Sequence, residues 1–209
     1  MNTELFKRII SSIILLPLAF FSLLAGSFFS IFFIIILFLI SCYEWNRISN
    51  NSAYRIFGLF FLLLSFYTFY DLSNQFDLLI FVILICISTD IGGYIFGKTF
   101  KGPKLTKISP NKTYAGVIGS YFLSLICLSI ITNLIVFSIK TFHLFLITIL
   151  LSTVSQVGDI IISYFKRQSK IKNTGKLIPG HGGLLDRIDG MIFAIPFFYL
   201  VELTGYLNI

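Results

Sequence analysis

The sequence predicts an all-α protein: a polytopic membrane helical bundle of about seven transmembrane helices with its N-terminus in the cytoplasm. Three observations predict it. Only 12% of the 209 residues are charged, about half the share usual in soluble globular chains, and mean hydropathy is +0.92. Apolar runs near the length of a membrane span recur along the chain, separated by short polar stretches. The basic residues fall on alternate connections, as the positive-inside rule requires.

The first run, 9–25, follows Lys7 and Arg8. Small residues at its end resemble a leader cleavage site, but a second apolar run starts at Phe28 with no soluble domain between, so a helical hairpin is expected. The second run, 28–43, ends at Glu44, Trp45 and Arg47, which read as an interfacial anchor. The third, 56–70, is short for a span. The fourth covers 76–97, the fifth 114–137, the sixth 142–165 and the seventh 188–207. With the N-terminus inside, of 16 Lys and Arg only Lys140 falls outside. The basic loops 98–113 and 166–187 then share the cytoplasmic face. The net charge of +7 therefore reads as topology, not as affinity for nucleic acid; the aromatics lack the basic interleaving of a stacking surface. Cys42, Cys86 and Cys127 lie in or beside apolar runs without a CxxC, which reads as small buried side chains and not a disulfide framework or zinc site.

Polar residues then stand out. On a helix Asp159, Ser163, Lys166 and Arg167 share one face. A carboxylate inside a span is costly and marks a functional path, or else a helix–helix hydrogen bond. Asp186 and Asp189 flank Arg187 where the last helix starts; capping would explain one of them. It would not explain the turn Gly180-His181-Gly182-Gly183 just upstream, whose bare backbone lets N–H groups approach an anion. Carboxylates beside Lys, Arg and glycines suit phosphates with a divalent metal. His181 reads as a phosphate donor, a general acid or a loop-ordering group. Asp90 is a second carboxylate inside a run, and Gly93 with Gly97 makes a helix-packing pair. Ser109 to Thr113 forms a polar turn that would also cap the next helix. The stretch from Gly92 to Thr99 matches G-x-x-x-x-G-K-[ST], but it lies in an apolar run without the strand a P-loop needs. His143 reads as an interfacial residue.

From Ser163 the chain reads S-x-x-K-R-x-x-x-x-K, then P-x-H-G-G-x-x-D-R-x-D to Asp189. That pattern, with the stretches Ser88 to Gly97 and Ser109 to Gly116, resembles the phosphatidate cytidylyltransferases, or CDP-diacylglycerol synthases. The resemblance spans most of the C-terminal two-thirds; the N-terminal spans resemble the family only in hydrophobicity. It implies residues 1–75 as N-terminal transmembrane helices and 76–209 as a catalytic membrane domain. The implied reaction transfers CMP from CTP to phosphatidic acid, giving CDP-diacylglycerol and pyrophosphate for phospholipid synthesis. Magnesium is the implied cofactor, and a second, monovalent cation is left open. Implied partners are CTP, phosphatidic acid and the bilayer, with a homodimer left open. The implied location is the cell membrane, with the active site toward the cytoplasm.

By the same resemblance Asp159 and Asp186, then Asp189, are metal ligands. Lys166, Arg167, Lys172 and Arg187 hold phosphates, with His181 beside them. Ser109, Asn111, Lys112 and Thr113 belong to the nucleotide site, and Asp90, Ser163, Gly182 and Gly183 face substrate. Two positions depart from the family pattern: Asn173 stands where an aspartate is expected, and Ala115 where many members have glutamate. A weakly active member is therefore one alternative. A cation-coupled transporter is another, since Asp90 and Asp159 suit an ion path, although its site would sit near the midplane. A non-catalytic anchor for anionic lipids would use the basic loops alone.

Overall fold

Apolar composition sets the helices and polar side chains set their ends. The computed structural model describes residues 27–106, 109, 112–135, 137, 139–175 and 182–206. The expected span 9–25 lies outside them, as do Asn111 and His181. Among the described residues there are seven helices and no strand: α1 Ser27–Ile48, α2 Ser52–Ser73, α3 Phe76–Phe100, α4 Tyr114–Leu134, α5 Thr141–Gln168, α6 Leu185–Ile188 and α7 Met191–Leu203. The first five are long and apolar enough to cross a membrane. The 22 residues of α1 reach about 33 Å at the helical rise, close to the thickness of a bilayer's hydrocarbon core. The chain is a multi-pass membrane protein.

The second, third, fourth and sixth expected runs are found with longer ends, while the fifth, expected to 137, ends as a helix at Leu134. The third, short as an apolar run, is a helix of 22 residues, because its polar flanks continue the backbone ladder. The last expected span, 188–207, is corrected: Asp189 and Gly190 form a turn between α6 and α7. A Cβ on Gly190 would meet the Ser155 hydroxyl at 2.2 Å, so the backbone there packs directly on α5. What remains is a 13-residue apolar helix containing Pro196.

Two compact units make up the chain. One is Met1–Ser73 with Phe165–Ile188, the other Asn74–Tyr164 with Asp189–Ile209. In the first, α1 and α2 pair through Phe38 and Phe66, whose ring centroids lie 5.7 Å apart. The Trp45 ring lies where a Cβ on Gly58 would come within 2.0 Å of it, and its Nε1 donates to the Arg55 carbonyl at 3.2 Å. Phe165, at the end of α5, packs edge-on to Trp45 at 4.9 Å. The α5 terminus is closed by a Schellman motif: the Ile171 and Lys170 amides donate to the Lys166 and Arg167 carbonyls, each at 3.0 Å. Lys170 takes the left-handed position, φ 55°. The Asn50 amide donates to the Gln168 carbonyl at 3.1 Å, which ties this end to the α1–α2 connection.

In the second unit α3 and α4 make the most extensive helix pair. Their contact is backbone on backbone: a Cβ on Gly92 would lie 2.3 Å from the Gly119 carbonyl oxygen, and one on Gly116 2.9 Å from that of Gly93. Close approach of this kind is what small residues allow between membrane helices. Ser120 donates to the Thr89 carbonyl at 2.8 Å, and Thr89 to the Ser152 hydroxyl of α5 at 3.0 Å. The stretch Gly92 to Thr99 lies wholly inside α3, so it is a membrane helix and not a phosphate loop.

Candidate active site

Among the described residues, each unit holds an aspartate paired with a lysine. In the first, Lys166 on the last turn of α5 donates from Nζ to Asp186 Oδ1 at 2.8 Å. The other oxygen, Oδ2, accepts from the Thr174 amide at 2.8 Å, the Gly183 amide at 3.1 Å and lies 3.1 Å from the Thr174 hydroxyl. Lys166 and Asp186 side chains are only 11% and 10% exposed. A charged pair this sheltered is tolerated when remaining hydrogen-bonding positions are filled, and here they are filled largely by fixed backbone.

Glu44 completes this region, and the interfacial-anchor reading of it is corrected. It is fully buried on α1. Its Oε1 accepts from the Leu184 amide at 3.0 Å, and its Oε2 from the Leu185 amide at 2.8 Å and the Thr174 hydroxyl at 2.7 Å. The glycines fit around these carboxylates. A Cβ on Gly183 would lie 2.0 Å from Thr174 Oγ1 and 2.4 Å from Glu44 Oε2, and one on Gly175 2.4 Å from Glu44 Oε1. Gly182 adopts φ 91°, a conformation other residues rarely take. Of the glycine-rich turn, Gly182 and Gly183 are described, and the Gly183 amide donates to a carboxylate. The carboxylates beside these two glycines are the protein's own Glu44 and Asp186. Trp45, the second member of the expected anchor, is likewise buried, whereas the third, Arg47, is exposed.

Other predicted residues of this unit are more open. Arg167 is exposed and donates to the Ile171 carbonyl at 3.4 Å. Lys172, Asn173 and Arg187 are exposed. Asn173 abuts the same face of Gly182 as Asp186 does, with Cγ 3.4 Å from where a Cβ would stand. An aspartate at 173, which the resemblance leads one to expect, would therefore lie close to Asp186.

In the second unit Lys112 Nζ lies 2.5 Å from Asp159 Oδ2 and donates to the Gln156 carbonyl at 3.3 Å. Ser163 donates to Asp159 Oδ1 at 3.3 Å, one helical turn on, as the helical spacing requires. Lys112 and Asp159 are 23% and 27% exposed. A small antiparallel bridge between Lys104 and Thr113 delivers Lys112. Around it the Leu105 amide donates to the Lys112 carbonyl at 2.8 Å, and the Lys112 amide to the Ser109 carbonyl at 3.0 Å. Thr113 caps α4, its hydroxyl accepting from the Gly116 amide at 3.1 Å. Asp189 is buried and accepts from the Gly190 amide at 3.0 Å. Asp90 sits exposed on α3.

Carboxylate oxygens such as those of Asp186, and separately of Asp159, are donors of the kind that a divalent cation takes. Asp186 and Asp159 each already turn one oxygen to an ammonium, so both stand where positive charge is favourable. No group of three or more His, Cys, Asp or Glu with metal-holding geometry occurs among the described residues. Magnesium needs no such group, since it commonly takes one or two carboxylates and completes its shell with phosphate oxygens and water. Sequence reasoning missed Glu44 and Thr174, whose contacts span 130 residues. The one available signal was an acidic residue ending an apolar run.

Comparison with known proteins follows the same residues. A cytidylyltransferase family model matches 56–204, which includes both aspartate–lysine pairs but not Glu44. The phosphatidate cytidylyltransferase of Rickettsia typhi is 36% identical over 216 residues, covering 96% of this chain and 92% of that protein. Those of Staphylococcus saprophyticus and Staphylococcus haemolyticus are 36% and 37% identical over 154 residues, which is 72% of this chain and 59% of theirs.

Proposed function

The chain belongs to the cytidylyltransferase family, and from that premise we propose that it transfers CMP from CTP to phosphatidic acid, forming CDP-diacylglycerol and pyrophosphate. The near-full-length match to the Rickettsia typhi protein of that name carries the reading. The charge pattern supports it. Two polyanions must be brought together, and the chain presents Lys166, Arg167, Lys172, Arg187 and Lys112 close to its aspartates in sequence or space.

In the proposed reaction a phosphate oxygen of the lipid attacks the α-phosphorus of CTP. A new P–O bond forms, the bond to the β-phosphate breaks, and pyrophosphate leaves with the electron pair. The lipid brings its own nucleophile, so the protein's work is positioning and charge stabilisation. Lys166 and Lys112 supply ammonium groups held in place by carboxylates. Arg167, Lys172 and Arg187, all exposed, receive the phosphates, and Ser109 to Thr113 with Asp90 and Ser163 line the nucleotide's approach. Each of Asp186, Asp159 and Asp189 is proposed as a ligand for magnesium, which when bound neutralises charge on the phosphates. The active side is assigned to the cytoplasm from the basic loops, where CTP is available.

The test is pyrophosphate release by purified protein in detergent. We expect it to require CTP and phosphatidic acid together, and to stop when a chelator is added. Release with diacylglycerol in place of phosphatidic acid, or with CTP alone, contradicts the proposal.

A further inference from the structure

We propose that Glu44 is the positioning residue for the Asp186 carboxylate, acting through Thr174; the inference rests on the functional reading above, in which Asp186 faces magnesium. Glu44 lies outside the residues matched by the family model. It lies one turn before the end of a mostly apolar helix. A carboxylate with no solvent exposure is costly to keep unless its hydrogen bonds are complete. Both its oxygens serve one object, the segment that carries Asp186. Oε1 takes the Leu184 amide, and Oε2 takes the Leu185 amide and the Thr174 hydroxyl.

Thr174, also fully buried, is the link. Its hydroxyl oxygen lies 2.7 Å from Glu44 and 3.1 Å from Asp186, while its amide donates to Asp186 at 2.8 Å. The hydroxyl has one proton, and the shorter contact gives it to Glu44. That contact orients Thr174 so that its amide meets Asp186 Oδ2. Leu184 and Leu185, fixed by the same glutamate, immediately precede Asp186 in the chain. Gly175 and Gly183 leave no room for a side chain beside Glu44, so Thr174, Gly175 and Gly183 to Leu185 close on this one carboxylate. Asp186 is thereby held with Oδ1 turned to a cation, Lys166 in this structure. A partner behind a metal ligand usually contributes 10- to 100-fold, in order of magnitude, to metal affinity or rate.

Glu44→Gln, Thr174→Val and Thr174→Ser proteins would be compared with wild type in detergent. One readout is the magnesium concentration giving half-maximal turnover. The other is affinity for manganese alone, read by electron paramagnetic resonance without any turnover. We expect Glu44→Gln and Thr174→Val to raise the half-maximal magnesium concentration and to weaken manganese affinity, each about tenfold or more, and Thr174→Ser to keep both at wild-type values. Glu44→Gln and Thr174→Val proteins that lose only yield or thermal stability, with wild-type magnesium and manganese values, would make Glu44 a packing residue and overturn the proposal. Should wild type show no CTP-dependent turnover, the functional reading fails separately, and manganese affinity still decides for or against Glu44.

Discussion

Asp186 and Asp159 are both aspartates paired with a lysine, yet the chain surrounds them differently. Asp186 is 10% exposed and takes two backbone amides on the oxygen that Lys166 leaves free. Asp159 is 27% exposed, and its lysine and serine partners are side chains. Backbone donors are fixed by the fold of the turn, whereas a lysine on a four-carbon stem can move away at little cost. One carboxylate is thus preorganised and the other adjustable.

The largest effect that would break this comparison comes from removing one charge in each pair. Asp186→Asn strands a sheltered Lys166 ammonium and turns an amide toward N–H donors, so unfolding stability should fall by about 3–5 kcal/mol. Asp159→Asn, in a more solvated pair, should cost about 1 kcal/mol or less. Denaturant or thermal unfolding in detergent measures both, and equal losses would mean that the two sites are built alike.

Gly183→Ala sharpens the same contrast at an intermediate level. Its Cβ would collide with Thr174 and Glu44, and overpacking of this kind costs about 1–3 kcal/mol. Gly102→Ala is the control: it has a positive φ of 98° but nothing within 4 Å, so only backbone strain of about 1 kcal/mol is expected. The smallest effect belongs to Lys112→Gln, which should change stability by about 0.2–1 kcal/mol and lose even that at high salt, while raising the CTP concentration needed for turnover.

How far the sequence revealed these sites depended on distance along the chain. The membrane helices were legible because burial in lipid leaves a continuous apolar record. The Asp159–Ser163 contact was legible because helical periodicity is local. Lys112 meeting Asp159 was not, since a loop and two helices intervene. Glu44 was misread because Trp45 and Arg47 beside it form a familiar interfacial pattern, while its real partners lie 130 to 141 residues away. The break at Asp189 and Gly190 was hidden by the apolar residues after it, and only packing of Gly190 on Ser155 explains it. The glycine-rich turn was read as an approach to an anion, but that the Gly183 amide would meet the protein's own Asp186 required coordinates.

The most direct test of the account is transfer of label from α-phosphate-labelled CTP into lipid by the purified protein. Labelled CDP-diacylglycerol should form only with phosphatidic acid, disappear with chelator, and fall by about 10²–10³-fold in Asp186→Asn, the range lost when one group stabilising transition-state charge is removed. Wild-type protein that leaves the lipid unlabelled, or an Asp186→Asn protein that labels it at the wild-type rate, would contradict the account.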